Sequence, residues 1–135
     1  MVKRVENWPL LLSEFLTEKK NQPFEWGVHD CLQFVARGVE RLTGVDFYKD
    51  YPSYNTKEAA AEMLAENKGV AGIINACLGT GSRHVLKAKR GDVVVAKMPE
   101  LTAGLVDDTG RYIIMLTEAG WQKFPLQVAW KFWSY

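Results

Sequence analysis

The chain has 135 residues, of which 47% are hydrophobic and 24% are charged. Seventeen basic residues against sixteen acidic ones leave a net charge of +1, which gives no electrostatic reason to expect nucleic acid or an anionic membrane as the main partner. No stretch approaches the roughly 18 apolar residues of a membrane span. The length predicts one domain over residues 1–135.

Four helices are expected in the first half of the chain. Apolar residues recur at helical spacing after Trp8, which is typical of an amphipathic helix. Asn55, with Glu58 three residues later, resembles a capping box that opens the third helix. The expected spans are residues 8–16, residues 29 or 30 to 44, residues 55–66 and residues 70–78.

The second half has the pattern of strands. The expected strands are residues 92–96, 101–106, 111–116 and 128–133. The segment Asp-Asp-Thr-Gly at residues 107–110 is a hairpin turn signal between two of them. Helices first and antiparallel strands second predict an α+β fold, with N-terminal helices packed on a C-terminal antiparallel sheet.

Cys31 is the first candidate for chemistry. Cys31 and Cys77 are too few cysteines for a disulfide framework, which favours a reducing compartment. The N-terminus has no apolar segment typical of a signal peptide. Cys31 follows a glycine-containing turn into a helix, so its thiol should face free N–H groups and the positive end of the helix dipole. That position favours a thiolate and could bind an oxyanion, although most free cysteines are simply buried.

The residues around Cys31 resemble the NlpC-type cysteine peptidases of the papain-like superfamily. The segment Trp-Gly-Val-His-Asp-Cys at residues 26–31 is similar to that family's aromatic-Gly turn before an Asp-Cys pair. A phage-borne branch, encoded among tail genes, has four motifs that this chain shares in the same order. They are Pro-Phe-Glu-Trp-Gly at 23–27, Gly-Asp at 91–92, Gly-Trp-Gln-Lys-Phe-Pro-Leu at 120–126 and Ala-Trp-Lys at 129–131. The resemblance covers nearly the whole chain and implies a papain-like fold of the NlpC type.

The resemblance also implies that the usual catalytic histidine is missing. In active members that histidine begins the strand after the Gly-Asp strand, where this chain has Thr102. Threonine cannot take a proton from a thiol near neutral pH. His29, two residues before Cys31, and His84, ahead of the sheet, are the candidate substitute bases. A zinc site built from both histidines and both cysteines matches no standard ligand spacing, so neither a metal nor another cofactor is expected.

Several polar and aromatic residues have both a structural and a binding interpretation. Asp30 is well placed as the N-cap of the second helix. Tyr48, Tyr51 and Tyr54 could line a groove for a sugar or a peptide, or they could cover the core, which their position in a loop beside Pro52 favours slightly. Trp26 is a further candidate binding residue. Thr102 is a candidate binding residue because it stands where the family has its base, and we expect it to be the residue of its strand closest to Cys31.

Two functional classes follow from the resemblance. The first is a catalytically degenerate module of a phage tail, at the tail tip or in tail assembly, which binds other tail proteins in the virion or in the host cytoplasm before assembly. The second is an active cysteine hydrolase that cleaves peptidoglycan peptides with Cys31 as nucleophile. The missing histidine favours the first class. The aromatic stretch at residues 128–133 should pair in the sheet and present a docking patch to a neighbouring tail protein.

Overall fold

The computed structural model describes residues 2–135 as four α-helices, five strands and two short 3-10 helices. The α-helices are α1 (Trp8–Lys19), α2 (Cys31–Thr43), α3 (Lys57–Glu66) and α4 (Gly69–Leu78). The strands are β1 (Val93–Lys97), β2 (Leu101–Val106), β3 (Tyr112–Thr117), β4 (Gly120–Pro125) and β5 (Lys131–Trp133). The 3-10 helices are η1 (Val85–Lys87) and η2 (Leu126–Val128).

The strands form one antiparallel sheet in the order β4-β3-β2-β1-β5. The first four follow one another as a meander, and β5 returns to pair with β1, with Trp133 opposite Val93. The helix α2 packs against β2 at the middle of this sheet. The predicted α+β fold, with N-terminal helices packed on a C-terminal antiparallel sheet, is confirmed. Among residues 2–135, no helix combines the length and the apolar content needed to cross a membrane.

The sheet buries both of its faces, but each face has a different cover. On one face, α2 contributes Phe34, Val35 and Val39, all at 0% exposure, to a core that also contains Ala103 and Leu105 of β2. On the other face, η1 and η2 close a smaller cluster. Its buried members are Ala88, Val94, Ala96, Val106, Ile113, Met115, Leu126, Ala129 and Phe132. Because side chains alternate across a strand, only every second residue of β2 faces α2.

Three details differ from the expected elements. The N-cap of α3 is Thr56, whose hydroxyl accepts a hydrogen bond from the Ala59 N–H at 3.1 Å, and not Asn55. The strand β4 was not expected, because its six residues are half-buried or exposed and do not alternate cleanly. The last strand is shorter than predicted, since η2 occupies Leu126–Val128 and pairing begins only at Lys131.

Candidate functional site at the head of the cysteine helix

Asp30 organises the N-terminal end of α2. It is 2% exposed, and one carboxylate oxygen accepts the Gln33 N–H at 2.9 Å, which makes Asp30 the N-cap of the helix. The other oxygen accepts the Gly27 N–H at 2.9 Å and the Tyr54 hydroxyl at 2.6 Å. One buried carboxylate therefore fixes the preceding turn, the first turn of α2 and the aromatic loop.

Cys31 is the first residue of α2, as expected, but its surroundings disfavour the thiolate. The residue keeps only part of its surface exposed, and burial raises the pKa of the thiol to about 11, with the negative charge of Asp30 acting in the same direction. The backbone N–H groups of Ala103, Leu32 and Cys31 itself oppose this shift. The thiol is therefore protonated near neutral pH, in contrast to the reactive thiolate that the helix-head position had suggested.

Thr102 does not occupy the position opposite Cys31. It pairs with Ala96, a member of the cluster on the far face of the sheet, and its hydroxyl donates a hydrogen bond to the Glu100 carbonyl at 3.1 Å. Ala103 instead belongs to the core under α2 and brings its backbone N–H to the Cys31 sulfur. The expected placement of Thr102 is therefore wrong by one residue, because a shift of one position along a strand reverses the face. The residue that faces Cys31 is apolar.

His29 packs into the core instead of serving the thiol. It is 2% exposed, its ring stands edge-on to Phe34 with 6.2 Å between ring centroids, and its Nε2 has no hydrogen-bond partner among residues 2–135. Burial lowers the pKa of this imidazole, and the positive charge of Lys19 lowers it further. The Lys19 backbone and the Asp30 charge oppose the shift. No hydrogen bond links His29 to Cys31 within the described residues.

His84 lies on the opposite side of the sheet from Cys31. It is exposed and directly precedes η1, whose Val85 packs against the cluster on the far face. The substitute base suggested by its sequence position is therefore not brought to the thiol. Across residues 2–135, no group of three or more His, Cys, Asp or Glu side chains is placed to hold a metal ion.

The aromatic loop contributes to the core and also supports Asp30. Tyr48 is buried, stacks on Tyr51 with ring centroids 5.3 Å apart, and meets Tyr54 edge-on at 6.1 Å. Tyr51 and Tyr54 are half-buried, as is Trp26, whose ring stands edge-on to Phe24 at 4.9 Å. These rings pack against neighbours in the described structure, and their partial exposure leaves their suggested binding role a prediction.

A second polar centre joins residues near the two ends of the chain, and sequence reasoning missed its partner. Asp92 accepts hydrogen bonds from Arg4 at 2.7 Å, from the Lys89 N–H at 2.8 Å and from the Ser134 hydroxyl at 2.8 Å. Burial raises the pKa of Asp92, and Arg4 is among the groups that oppose this shift. The Arg4 guanidinium also lies over Tyr135, 4.5 Å from the ring centroid. Arg4 and Asp92 are 88 residues apart, so no local sequence signal indicates this pair.

The buried imidazole of His29 predicts a loss of stability in mild acid. Its pKa is lowered on folding from the ordinary value of 6.5, so below about pH 6.5 the unfolded chain binds a proton that the folded protein excludes. Stability is therefore complete above that pH and falls as the pH decreases towards the lowered pKa. We expect urea midpoints to fall between pH 7.5 and pH 5 in the wild-type protein and to fall less in His29→Gln, which cannot be charged. Parallel curves for the two proteins would contradict this assignment.

A comparison with protein families found a match over residues 3–135. No curated protein matched the chain, and no solved structure matched it either. The matched region includes the turn before Cys31, the whole sheet and the Arg4–Asp92 pair. The chain therefore belongs to the family described as Domain of unknown function (DUF6950).

Proposed function

We propose that this protein is an NlpC-like, papain-like domain that has lost catalysis and acts by binding within a phage tail, at the tail tip or during tail assembly. The observation that carries the loss of catalysis is that Ala103 brings a backbone N–H to the Cys31 thiol at the place where a base would be needed. A cysteine hydrolase needs a base within hydrogen-bond reach of its nucleophile. The NlpC and phage parts of the proposal are supported by the order of sequence motifs along the chain.

The position of Cys31 supports the relation to cysteine peptidases. It begins a helix that packs on an antiparallel sheet, and Asp30 before it caps that helix. Because the thiol is protonated and His29 packs against Phe34, this arrangement has neither a thiolate nucleophile nor a histidine base for it. What remains is a folded scaffold that can contact other proteins through its exposed surface. Such a role places the chain in the virion, or in the host cytoplasm before assembly.

The state of the Cys31 thiol is directly measurable. Because its pKa lies near 11, we expect Cys31 in a Cys77→Ser variant to react slowly with iodoacetamide at pH 7.5, and to react faster as the pH rises towards 10. The urea-unfolded variant should react much faster at pH 7.5, since an exposed thiol titrates near its ordinary value of 9.0. Peptide mass spectrometry gives both rates. Rapid alkylation of the folded protein at pH 7.5 would restore the hydrolase as the better function.

The two functions also differ in their effects on cell-wall material. We expect no release of peptide fragments from purified peptidoglycan, and the same null result for wild-type and Cys31→Ser. A release that Cys31→Ser abolishes would establish the active hydrolase.

For the tail assignment, mass spectrometry should detect the chain in purified virions or tail intermediates of the phage that encodes it. Its absence from both would contradict that part of the proposal.

A further inference from the structure

Three basic side chains surround one half-buried tryptophan, Trp130, which directly precedes the last strand β5. The Lys131 ammonium lies 4.5 Å from the Trp130 ring centroid, the Lys97 ammonium lies 5.4 Å from it, and the Arg83 guanidinium lies 6.0 Å from it. We call these four residues the Trp130 patch. Within the described residues, none of the three cations forms a salt bridge or donates a side-chain hydrogen bond.

This concentration of positive charge is uncompensated. Cations on the faces of an indole ring gain a modest attraction, but three of them within about 6 Å of one centroid lie close enough to repel one another. The whole chain carries a net charge of only +1, so the patch is a local excess and not part of a uniformly basic surface. An anion bound between the cations would relieve the repulsion, and the ring would give its apolar part a platform.

The Trp130 ring itself indicates what kind of anion the patch binds. The ring is half-buried and packs against the core under α2, so part of its apolar surface stays exposed beside the three cations. Exposed apolar side chains next to charge suit a peptide that carries both carboxylates and apolar groups. The net charge of only +1 gives little long-range attraction for a nucleic acid.

We infer that the Trp130 patch is the docking surface for an acidic, partly apolar segment of another protein. This inference rests on the proposed binding function and names the chemistry of the partner. Carboxylates of the segment would pair with Lys97, Lys131 and Arg83, and an apolar side chain would cover the exposed part of the Trp130 ring. Trp130 packs against the core that α2 covers, and Lys131 pairs with Val95 of that core, so the site lies on the same side of the sheet as Cys31. Its test measures peptide binding, whereas the Cys31 experiments measure thiol reactivity and hydrolysis, so the two can fail separately.

The test uses a synthetic acidic peptide as the probe, a short tryptophan-free sequence of alternating Glu, Asp and Leu. We expect the peptide to shift the indole N–H resonance of Trp130, identified through Trp130→Phe, more than the other indole signals. A matched peptide with Gln and Asn in place of the acids should bind at least about tenfold more weakly. Affinity should also fall with added salt.

Charge reversal locates the site. The double variant Lys97→Glu and Lys131→Glu should reduce affinity for the acidic peptide at least about tenfold. A control with the same change in net charge, Lys20→Glu and Lys49→Glu, alters two exposed lysines elsewhere and should reduce it far less. Both variants should keep a melting temperature close to that of the wild type, because Lys20, Lys49 and Lys97 are exposed and Lys131 is only half-buried.

Three results would overturn the inference. Equal losses in the two double variants would mean that overall charge drives binding. Shifts confined to indoles other than Trp130 would place the peptide elsewhere, and tighter binding of a poly-dT oligonucleotide at physiological salt would point to nucleic acid. Each of these leaves the Cys31 thiol and peptidoglycan experiments unaffected, so the docking site can fail while the absence of catalysis stands.

Discussion

Gly27→Ala is expected to prevent stable folding, although it adds a single methyl group. Gly27 has a φ of +81°, and a Cβ at this position would overlap the backbone carbonyl oxygen of Tyr54. The overlap cannot be relieved by a side-chain rotation because the obstacle is backbone. Separating these segments would also break the hydrogen bonds that Asp30 accepts from Gly27 and Tyr54. We expect a loss of more than about 4 kcal/mol, which is exceptional for one substitution.

Gly44→Ala is the matched control for the steric part of this effect. Gly44 has a φ of +80°, almost the same as that of Gly27, but no atom lies within 4 Å of the Cβ that alanine would add. Alanine there should cost about 1 kcal/mol for the left-handed backbone alone. Urea denaturation followed by circular dichroism measures both values. If the two variants lost the same stability, the close contact between the turn and the aromatic loop would not exist in solution.

Short-range signals predicted the head of α2 well. Asp30 caps the helix that begins at Cys31, and the αL glycine Gly44 ends it, because capping and left-handed termination depend on residues only a few positions apart. The hairpin turn at residues 107–110 is also local, and the structure places it between β2 and β3. The helices, the turn and the α+β class were therefore predictable from the sequence.

The parts that sequence reasoning missed depend on distant pairing. Whether Thr102 or Ala103 faces Cys31 is decided by the register of β2 against β1 and by the face on which α2 packs, neither of which is encoded within β2. The thiol pKa follows from that packing. The burial of His29 likewise depends on the end of α1, where Lys19 approaches it. A helix-head cysteine indicated a possible site, but only the tertiary contacts determined its protonation state.

Trp133 and Trp130 are three residues apart, and they are expected to respond very differently to removal. Trp133 is 2% exposed, and its indole N–H donates to the Asn75 side-chain oxygen and to the Gly79 carbonyl, both at 2.9 Å. These hydrogen bonds connect β5 to the C-terminal end of α4. Trp133→Ala should cost about 3–5 kcal/mol through lost burial and the cavity left behind. Trp133→Phe, which keeps most of the ring but not the donor, should cost about 1–3 kcal/mol.

Trp130→Ala should cost about 1–2 kcal/mol, less than Trp133→Ala, because the ring packs against the core but is only half-buried. The same substitution should weaken binding of the acidic peptide, so the two tryptophans separate stability from docking. Urea denaturation of the three variants measures the stability difference, provided that their m-values match that of the wild type.

Deleting residues 129–135 removes β5 together with Trp133 and should abolish cooperative unfolding. A truncated chain that still melted cooperatively and lost only peptide binding would show that the C-terminal segment is an interaction peptide and not a structural strand of the domain.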